Sequence, residues 1–275
     1  MSENMEKIKN NWWKILVIAF LGSLFNAIIH GILPSGESVL PPSVIVQQGL
    51  LPIAFIIYGT IYYALLGCTF VLIADKLQGS RVVKGLKYGI FFCILTFIVY
   101  LEPLPSTATF SITNMSWMLA DGIPYAVLGA ILGLFLANNS INVEKNDGKG
   151  SNKILILIIP VVFLIGRLIS YNVFHIYSAY STLPVNTLSW VFGLGLGIGI
   201  LYYLLLRPAF RGNSPLYKAL FFGLIFGIYL FLFNFAYALI VNLELATYID
   251  FFIRTGMDVL FASIGVFIYE YLVRD

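Results

Sequence analysis

The chain has 275 residues, of which 60% are hydrophobic and only 11% are charged, and its mean hydropathy is +0.92. Soluble domains carry roughly 25% charged residues, so this composition excludes a water-soluble fold and indicates that lipid surrounds the chain. The net charge of +3 is small, and the basic residues lie in short separate groups. A nucleic-acid partner is therefore not expected.

Eight apolar stretches are long enough to cross a bilayer as helices, which takes about 20 residues each. The first follows basic residues, as a signal peptide would. Its apolar run is longer than the roughly 7–15 residues of a signal core, however, and no small-residue cleavage site follows it. The sequence therefore predicts an all-α integral membrane protein with eight transmembrane helices. They are predicted at about 13–33, 50–74, 86–104, 116–137, 154–174, 187–206, 217–241 and 252–272.

The basic residues alternate between the two sides of this predicted helix order. The N-terminus, the second, fourth and sixth connections and the C-terminus together hold fourteen of the sixteen lysines and arginines. The first, third and fifth connections hold none, and the seventh has only Arg254 at its edge. Basic residues accumulate on the cytoplasmic side of membrane proteins. We therefore expect a multi-pass protein of the cytoplasmic (plasma) membrane with both termini in the cytoplasm.

The two halves of the chain share short sequence patterns in corresponding places. Lys14-Ile-Leu recurs as Lys153-Ile-Leu, and Tyr62-Tyr-Ala-Leu-Leu recurs as Tyr202-Tyr-Leu-Leu-Leu. Chance similarity between apolar helices is the alternative. A duplication of four helices, an even number, gives two halves of the same orientation, which is a parallel repeat. The predicted organisation is a first repeat at 1–137, a cytoplasmic linker at 138–153 and a second repeat at 154–275.

Polar residues inside the predicted spans concentrate towards the outer face. Asp121 and Asp258 lie five to six residues below the outer boundary of helices four and eight, roughly 8–9 Å deep at 1.5 Å per residue. Ionisable residues at such depth usually face the bundle interior or a watery cavity. With the repeats aligned, Asn26 and His30 of helix one correspond to Arg167 and Tyr171 of helix five. The candidate ligand-binding residues are Asp121, Asp258, Arg167, Asn26, His30, Tyr171 and Asn234.

The inner half of the predicted bundle is nearly all aliphatic, aromatic and glycine. This asymmetry predicts a polar cavity that is open to the outside and closed below by an apolar plug. The alternative is that Arg167 is a structural strut, neutralised by Asp121 or Asp258. Two acids and one base leave one acid over, which can be protonated, pair with Arg254, or bind a cationic ligand or a coupling proton. Glu102 is expected at the outer end of helix three.

Familiar catalytic and cofactor motifs are not found in the sequence, so no catalytic residue, metal ligand or cofactor is assigned. The run of alternating glycines from Gly193 to Gly199 follows no strand and lies inside a predicted span. It therefore predicts close helix packing rather than a nucleotide loop. The pairs Gly85/Gly89 and Gly223/Gly227 carry the same prediction. Cys68 and Cys93 are expected as buried apolar residues.

These observations favour a protein that binds or transports a small polar or charged solute through an outward-facing cavity. A small molecule or an ion is the expected ligand, and the lipid bilayer is the expected surrounding. Because no nucleotide-binding loop is present, transport is expected to be passive, ion-coupled or driven by a separate partner subunit. The first alternative is a non-catalytic sensor, accessory or immunity protein. The second is a membrane-embedded enzyme with an extracytoplasmic site.

Overall fold

The structure is a computed structural model that describes residues 2–33, 41–103, 112–139, 153–210 and 212–273. Most of the predicted linker at 138–153 lies outside these residues. The chain is 84% helical, and no strand occurs in the described ranges. Eight of the helices are long and apolar enough to cross a membrane. The prediction of an all-α membrane protein with eight spans is therefore confirmed.

We label the eight long helices in chain order. They are α1 (Ser2–Ile32), α2 (Leu51–Ile73), α3 (Arg81–Tyr100), α4 (Ile112–Leu136), α5 (Ile158–Asn172), α6 (Pro184–Leu201), α7 (Pro215–Phe235) and α8 (Leu245–Leu272). The end of α6 continues as a π-helical segment, Tyr202–Leu206, and then as a 3₁₀ turn, Arg207–Phe210. A 3₁₀ turn, Lys153–Leu157, leads into α5. Helix α1 begins at Ser2, well before the predicted apolar stretch at 13–33, so the polar residues before that stretch are also helical.

Both ends of the described chain lie at the same end of the bundle. Lys7 near the start of α1 pairs with Asp75 in the turn after α2, with 2.9 Å between Nζ and Oδ2. The turn Ala74–Lys76 packs in turn against Arg207–Phe210, beside the end of α8. We call this the N-terminal end and the opposite one the far end. The helices therefore alternate in direction, as the sequence predicts.

Glycines allow α3 and α4 to pack with their backbones in contact. A Cβ atom on Gly85 would lie 2.7 Å from the Cα of Gly133, and one on Gly89 would lie 3.0 Å from the Cα of Gly129. No side chain fits at such distances, so this helix pair requires glycine on both sides. Gly193 differs, since a Cβ there would meet nothing within 4 Å.

The first four and the second four helices pack in the same pairs. Helix α1 contacts α2 and α4, and α3 contacts α4; likewise α5 contacts α6 and α8, and α7 contacts α8. Between the two groups, α3 packs on α6 and α2 packs on α7. A duplication of four helices would produce this arrangement. The four-plus-four repeat itself stays a prediction.

The centre of the bundle is aromatic but not purely apolar. Tyr62 and Tyr125 hydrogen bond through their hydroxyls at 2.7 Å, and the Tyr62 hydroxyl also lies 3.0 Å from the carbonyl oxygen of Tyr229. The hydroxyl of Tyr229 lies 2.9 Å from that of Thr96. Where the sequence predicts an apolar plug, the structure thus has packed tyrosine rings whose hydroxyls are satisfied by one another and by the backbone.

Candidate functional site

The deepest charge pair at the far end joins α5 to α8. Arg167 donates from Nε to Oδ1 of Asp258 and from Nη2 to Oδ2, both at 2.6 Å. Both residues are only 3% exposed. Two parallel hydrogen bonds of this kind fix the geometry of a carboxylate as well as neutralising it. Of the two acids predicted as partners of Arg167, the structure selects Asp258.

Small residues bring α5 and α8 close enough for this pair to form. A Cβ atom on Gly265 would lie 3.1 Å from the Cα of Ile159. Gly166, beside Arg167, faces the ring of Phe261 with no room for a side chain of its own. The ring of Trp190 on α6 covers the guanidinium carbon of Arg167 at 5.2 Å. Arg167 is therefore held between three helices with its aliphatic stem buried.

Glu102 extends the charge pair into a four-charge network. Its Oε1 atom accepts from Nη1 of Arg167 at 3.3 Å and from Nη1 of Arg254 at 3.0 Å. Arg254 lies one turn before Asp258 on α8, and its Nη2 also lies 3.7 Å from Oδ2 of Asp250. Arg254 thus pairs with Glu102 and Asp250. It does not pair with Asp121, the predicted acid that remains after Arg167 has paired with Asp258. Because Glu102 follows α3, the network links the first four helices to the second four.

A small cavity of about 50 Å³ lies against this network. Its lining residues are Val99, Glu102, Arg167, Trp190, Leu194, Leu230, Asn234, Phe251, Arg254 and Asp258. Within the described part of the chain, Nε of Arg254 is buried and has no hydrogen-bond partner. A buried donor left unsatisfied costs roughly 1–3 kcal/mol. The cavity has room for water, which needs only about 10–15 Å³, or for another small acceptor.

Asp121 belongs to a separate polar site among the first four helices. Its Oδ1 atom lies 2.8 Å from Nε2 of His30 on α1, and its Oδ2 atom accepts from the hydroxyl of Tyr100 on α3. Asn26, one turn before His30, donates to the hydroxyl of Tyr63 at 2.8 Å. Asp121 does not line the cavity beside Asp258. The two predicted acids therefore occupy different sites.

The other two predicted site residues differ in how close they come to the charge network. Asn234 lines the cavity and donates to Oγ1 of Thr255 at 2.8 Å. Tyr171 stacks on Tyr180 with 4.9 Å between ring centroids, and it is not part of the cavity lining. Of the seven predicted residues, the structure thus brings Arg167, Asp258 and Asn234 to one cavity and places His30 and Asp121 together elsewhere.

Sequence reasoning missed a third polar cluster, at the N-terminal end of the bundle. Glu270 on α8 is 2% exposed, and it accepts from Nε of Arg207 at 2.6 Å and from Nζ of Lys218 at 2.5 Å. Tyr202 donates to the same carboxylate at 3.0 Å. The expectation of an almost wholly apolar inner half was therefore wrong. Glu270 lies within the predicted span 252–272, so its charge was the signal that could have revealed the cluster.

In the residues that the structure describes, no group of three or more His, Cys, Asp and Glu side chains could hold a metal ion. The polar sites are instead hydrogen-bonded charge pairs. Comparison with known proteins adds no relative: the chain matches no protein-family model, no curated protein and no solved structure.

Proposed function

We propose that the chain binds or transports a small polar or charged solute in the cavity beside Arg167, Asp258, Glu102 and Arg254. The observation that carries the proposal is the cavity itself, which two arginines and two carboxylates line together with Asn234. A network that only holds helices together needs no space beside its charged groups, since close packing leaves few voids that can hold water. A small polar or charged solute would occupy this space and contact the charged side chains around it.

The size and charge of the cavity limit the solute. Its volume of about 50 Å³ is far below the roughly 300–1,000 Å³ of pockets for drug-sized ligands. The lining holds two arginines and two carboxylates, so its formal charge is balanced. A solute of a few atoms fits these conditions. Larger solutes would require the helices around the cavity to separate.

Asp121 is our candidate for a residue that binds a coupling ion. It is the acid that Arg167 leaves over, and it is shared between His30 and Tyr100 at the far end. Tyr100 donates to the carboxylate, whereas the role of the His30 ring nitrogen depends on its tautomer. In an ion-coupled transporter, this second site would accept the coupling ion while the cavity holds the solute.

Membrane orientation and internal repeat belong to the same proposal. Lys7, Lys14 and Lys218 lie towards the N-terminal end, which supports a cytoplasmic location for that end in the plasma membrane. The first four helices contact one another in the same pattern as the second four, which supports a parallel repeat. Asp121 and Asp258 also correspond, since Asp121 contacts α1 and Asp258 contacts α5. The cavity would then face outwards.

A second candidate is a non-catalytic accessory or immunity protein in which the network is structural. It is favoured by one observation: Glu102 and Asp258 are each hydrogen bonded to an arginine already. Such a protein would need no solute, and filling the cavity would not change its activity.

Stabilisation by solutes separates the two candidates. The purified chain is heated with chloride, bicarbonate, sodium, ammonium or glycine, and its unfolding temperature is compared with that of Asn234→Leu. Leucine fills part of the cavity and leaves all four charges in place. The matched control is Asn172→Leu, at an exposed position of α5. A solute at 100 times its Kd stabilises by about 2.7 kcal/mol.

We expect at least one of these solutes to raise the unfolding temperature of the wild type and of the Asn172→Leu control. The same solute should not raise the unfolding temperature of Asn234→Leu. Equal stabilisation of all three proteins would place the solute outside the cavity. Failure of every solute would favour the accessory protein.

A further inference from the structure

A larger cavity, of about 350 Å³, lies at the N-terminal end of the bundle. Its volume is in the range of roughly 300–1,000 Å³ that ligand pockets occupy. It lies between α1, the turn after α2, the start of α3 and the end of α4. Its lining residues are Lys7, Asn11, Lys14, Val71, Ala74, Asp75, Arg81, Phe135, Leu136, Ala137 and Asn138.

The cavity carries an excess of positive charge. Its one carboxylate, Asp75, is already engaged by Lys7 at 2.9 Å and by the side-chain amide of Asn138 at 3.2 Å. Among the described residues, no carboxylate pairs with Lys14 or Arg81. Arg81 also begins α3, where the positive end of the helix dipole adds to its charge. Lys14, Arg81 and the N-terminus of α3 are therefore available to bind an anion.

The cavity also has an apolar side, part of which is exposed. Phe135 is 60% exposed, and it lines the cavity beside Leu136 and Val71. Trp12 and Trp13, next to Lys14, are 57% and 53% exposed. Exposed tryptophans mark the interface between lipid headgroups and hydrocarbon. Lys14, and Arg81 in the same cavity, would then lie at headgroup depth, with apolar surface beside them.

We propose that this cavity binds the phosphate group of an anionic phospholipid. Arg81 and Lys14 donate to the phosphate oxygens, since guanidinium and ammonium groups are the usual phosphate donors. The acyl chains run along Phe135 and Leu136. A soluble phosphate compound shares the charged half of this recognition but leaves the apolar half unused. The proposal does not depend on the solute site at the far end.

Lipid titration of the purified full chain tests the proposal. Phosphatidylglycerol and phosphatidylcholine with identical acyl chains are each added to the protein in detergent, and bound lipid is measured by native mass spectrometry. The test variant is the double substitution Lys14→Gln and Arg81→Gln. The control is Lys9→Gln with Lys76→Gln. It removes the same charge from exposed positions on α1 and on the turn that precedes α3, and neither residue lines the cavity.

We expect tighter binding of phosphatidylglycerol than of phosphatidylcholine. The test variant should weaken phosphatidylglycerol binding about 30-fold, because each basic residue contributes about 1 kcal/mol to anionic-lipid binding. The control should stay near the wild type. Equal losses in both variants, or equal binding of the two lipids, would overturn the proposal.

Two further arms separate charge from folding and lipid from soluble phosphate. Exchange of the two charges, Lys14→Arg with Arg81→Lys, should retain the preference for phosphatidylglycerol; a loss as large as that of the glutamine variant would refute a charge-based site. Glycerol 1-phosphate, which has the headgroup chemistry without acyl chains, should compete only weakly. If it displaces phosphatidylglycerol at equal concentration, the ligand is a soluble phosphate and the lipid assignment is wrong.

Discussion

Breaking the Arg167–Asp258 pair should destabilise the protein more than removing both of its members. Asp258→Asn leaves a buried arginine that cannot lose its proton, and Glu102 at 3.3 Å is then its nearest acid. Loss of one partner of a buried pair costs about 3–5 kcal/mol. Because Glu102 compensates in part, we expect a loss of about 3 kcal/mol. Arg167→Met should cost less, about 2 kcal/mol, since Asp258 can take up a proton.

The double variant, Arg167→Met with Asp258→Asn, should lose only about 1–2 kcal/mol, because neither an unpaired charge nor a large cavity remains. The coupling energy between the two sites is then about 3–4 kcal/mol. The assay is reversible unfolding in mixed micelles, monitored by tryptophan fluorescence. Trp190, which covers Arg167 at 5.2 Å, reports directly on this region.

An exposed ion pair provides the matched control. Lys7 and Asp75 are 2.9 Å apart, near the 2.6 Å of the Arg167–Asp258 pair, but their side chains are 39% and 36% exposed. The cycle of Lys7→Met and Asp75→Asn should therefore show a coupling energy below about 1 kcal/mol. If the Arg167–Asp258 substitutions are additive within about 0.5 kcal/mol, the pair is not energetically coupled and the reasoning fails.

Three further predictions concern the rest of the bundle. Glu270→Gln, which strands two bases at the N-terminal end, should cost about 3 kcal/mol in the same unfolding assay; a loss below about 1 kcal/mol would contradict its assigned pairing. Gly85→Ala should separate α3 from α4 and cost more than about 2 kcal/mol, whereas Gly193→Ala, in open space, should be neutral or slightly stabilising. In intact cells, a cysteine at Ser181 should react with an impermeant thiol reagent and one at Gln78 should not; the reverse would invert the proposed orientation.

The fold was largely predictable because the bilayer leaves few alternatives. Each span must satisfy its own backbone hydrogen bonds, so about 20 apolar residues in a row indicate a helix. All eight spans were found in this way. The glycine pair Gly85/Gly89 was also correctly interpreted as a close helix contact. Gly193 was not, since sequence spacing does not show which face of a helix meets a neighbour.

The site was predictable only in its composition. Depth in the membrane showed that Arg167 needed an acid, but the choice between Asp121 and Asp258 depends on whether α4 or α8 packs against α5. The bridging role of Glu102 depends on its position just after α3, within reach of Arg254 on α8, which sequence does not show. Glu270 was missed because the basic residues beside it were counted as loop charges that set orientation. They also neutralise a buried acid.

Access of small reagents to the cavity tests the proposed function most directly. Asn234 is replaced by cysteine in a chain whose Cys68 and Cys93 are alanine, and its rate of reaction with a small methanethiosulfonate reagent is measured in proteoliposomes. The reference is cysteine at Phe226, which is 1% exposed in the packed core of the same helix. A solute-binding cavity predicts that position 234 reacts at least about tenfold faster, because the surrounding helices must open to admit solute. Equal, negligible rates at both positions would show a sealed site and contradict the proposal.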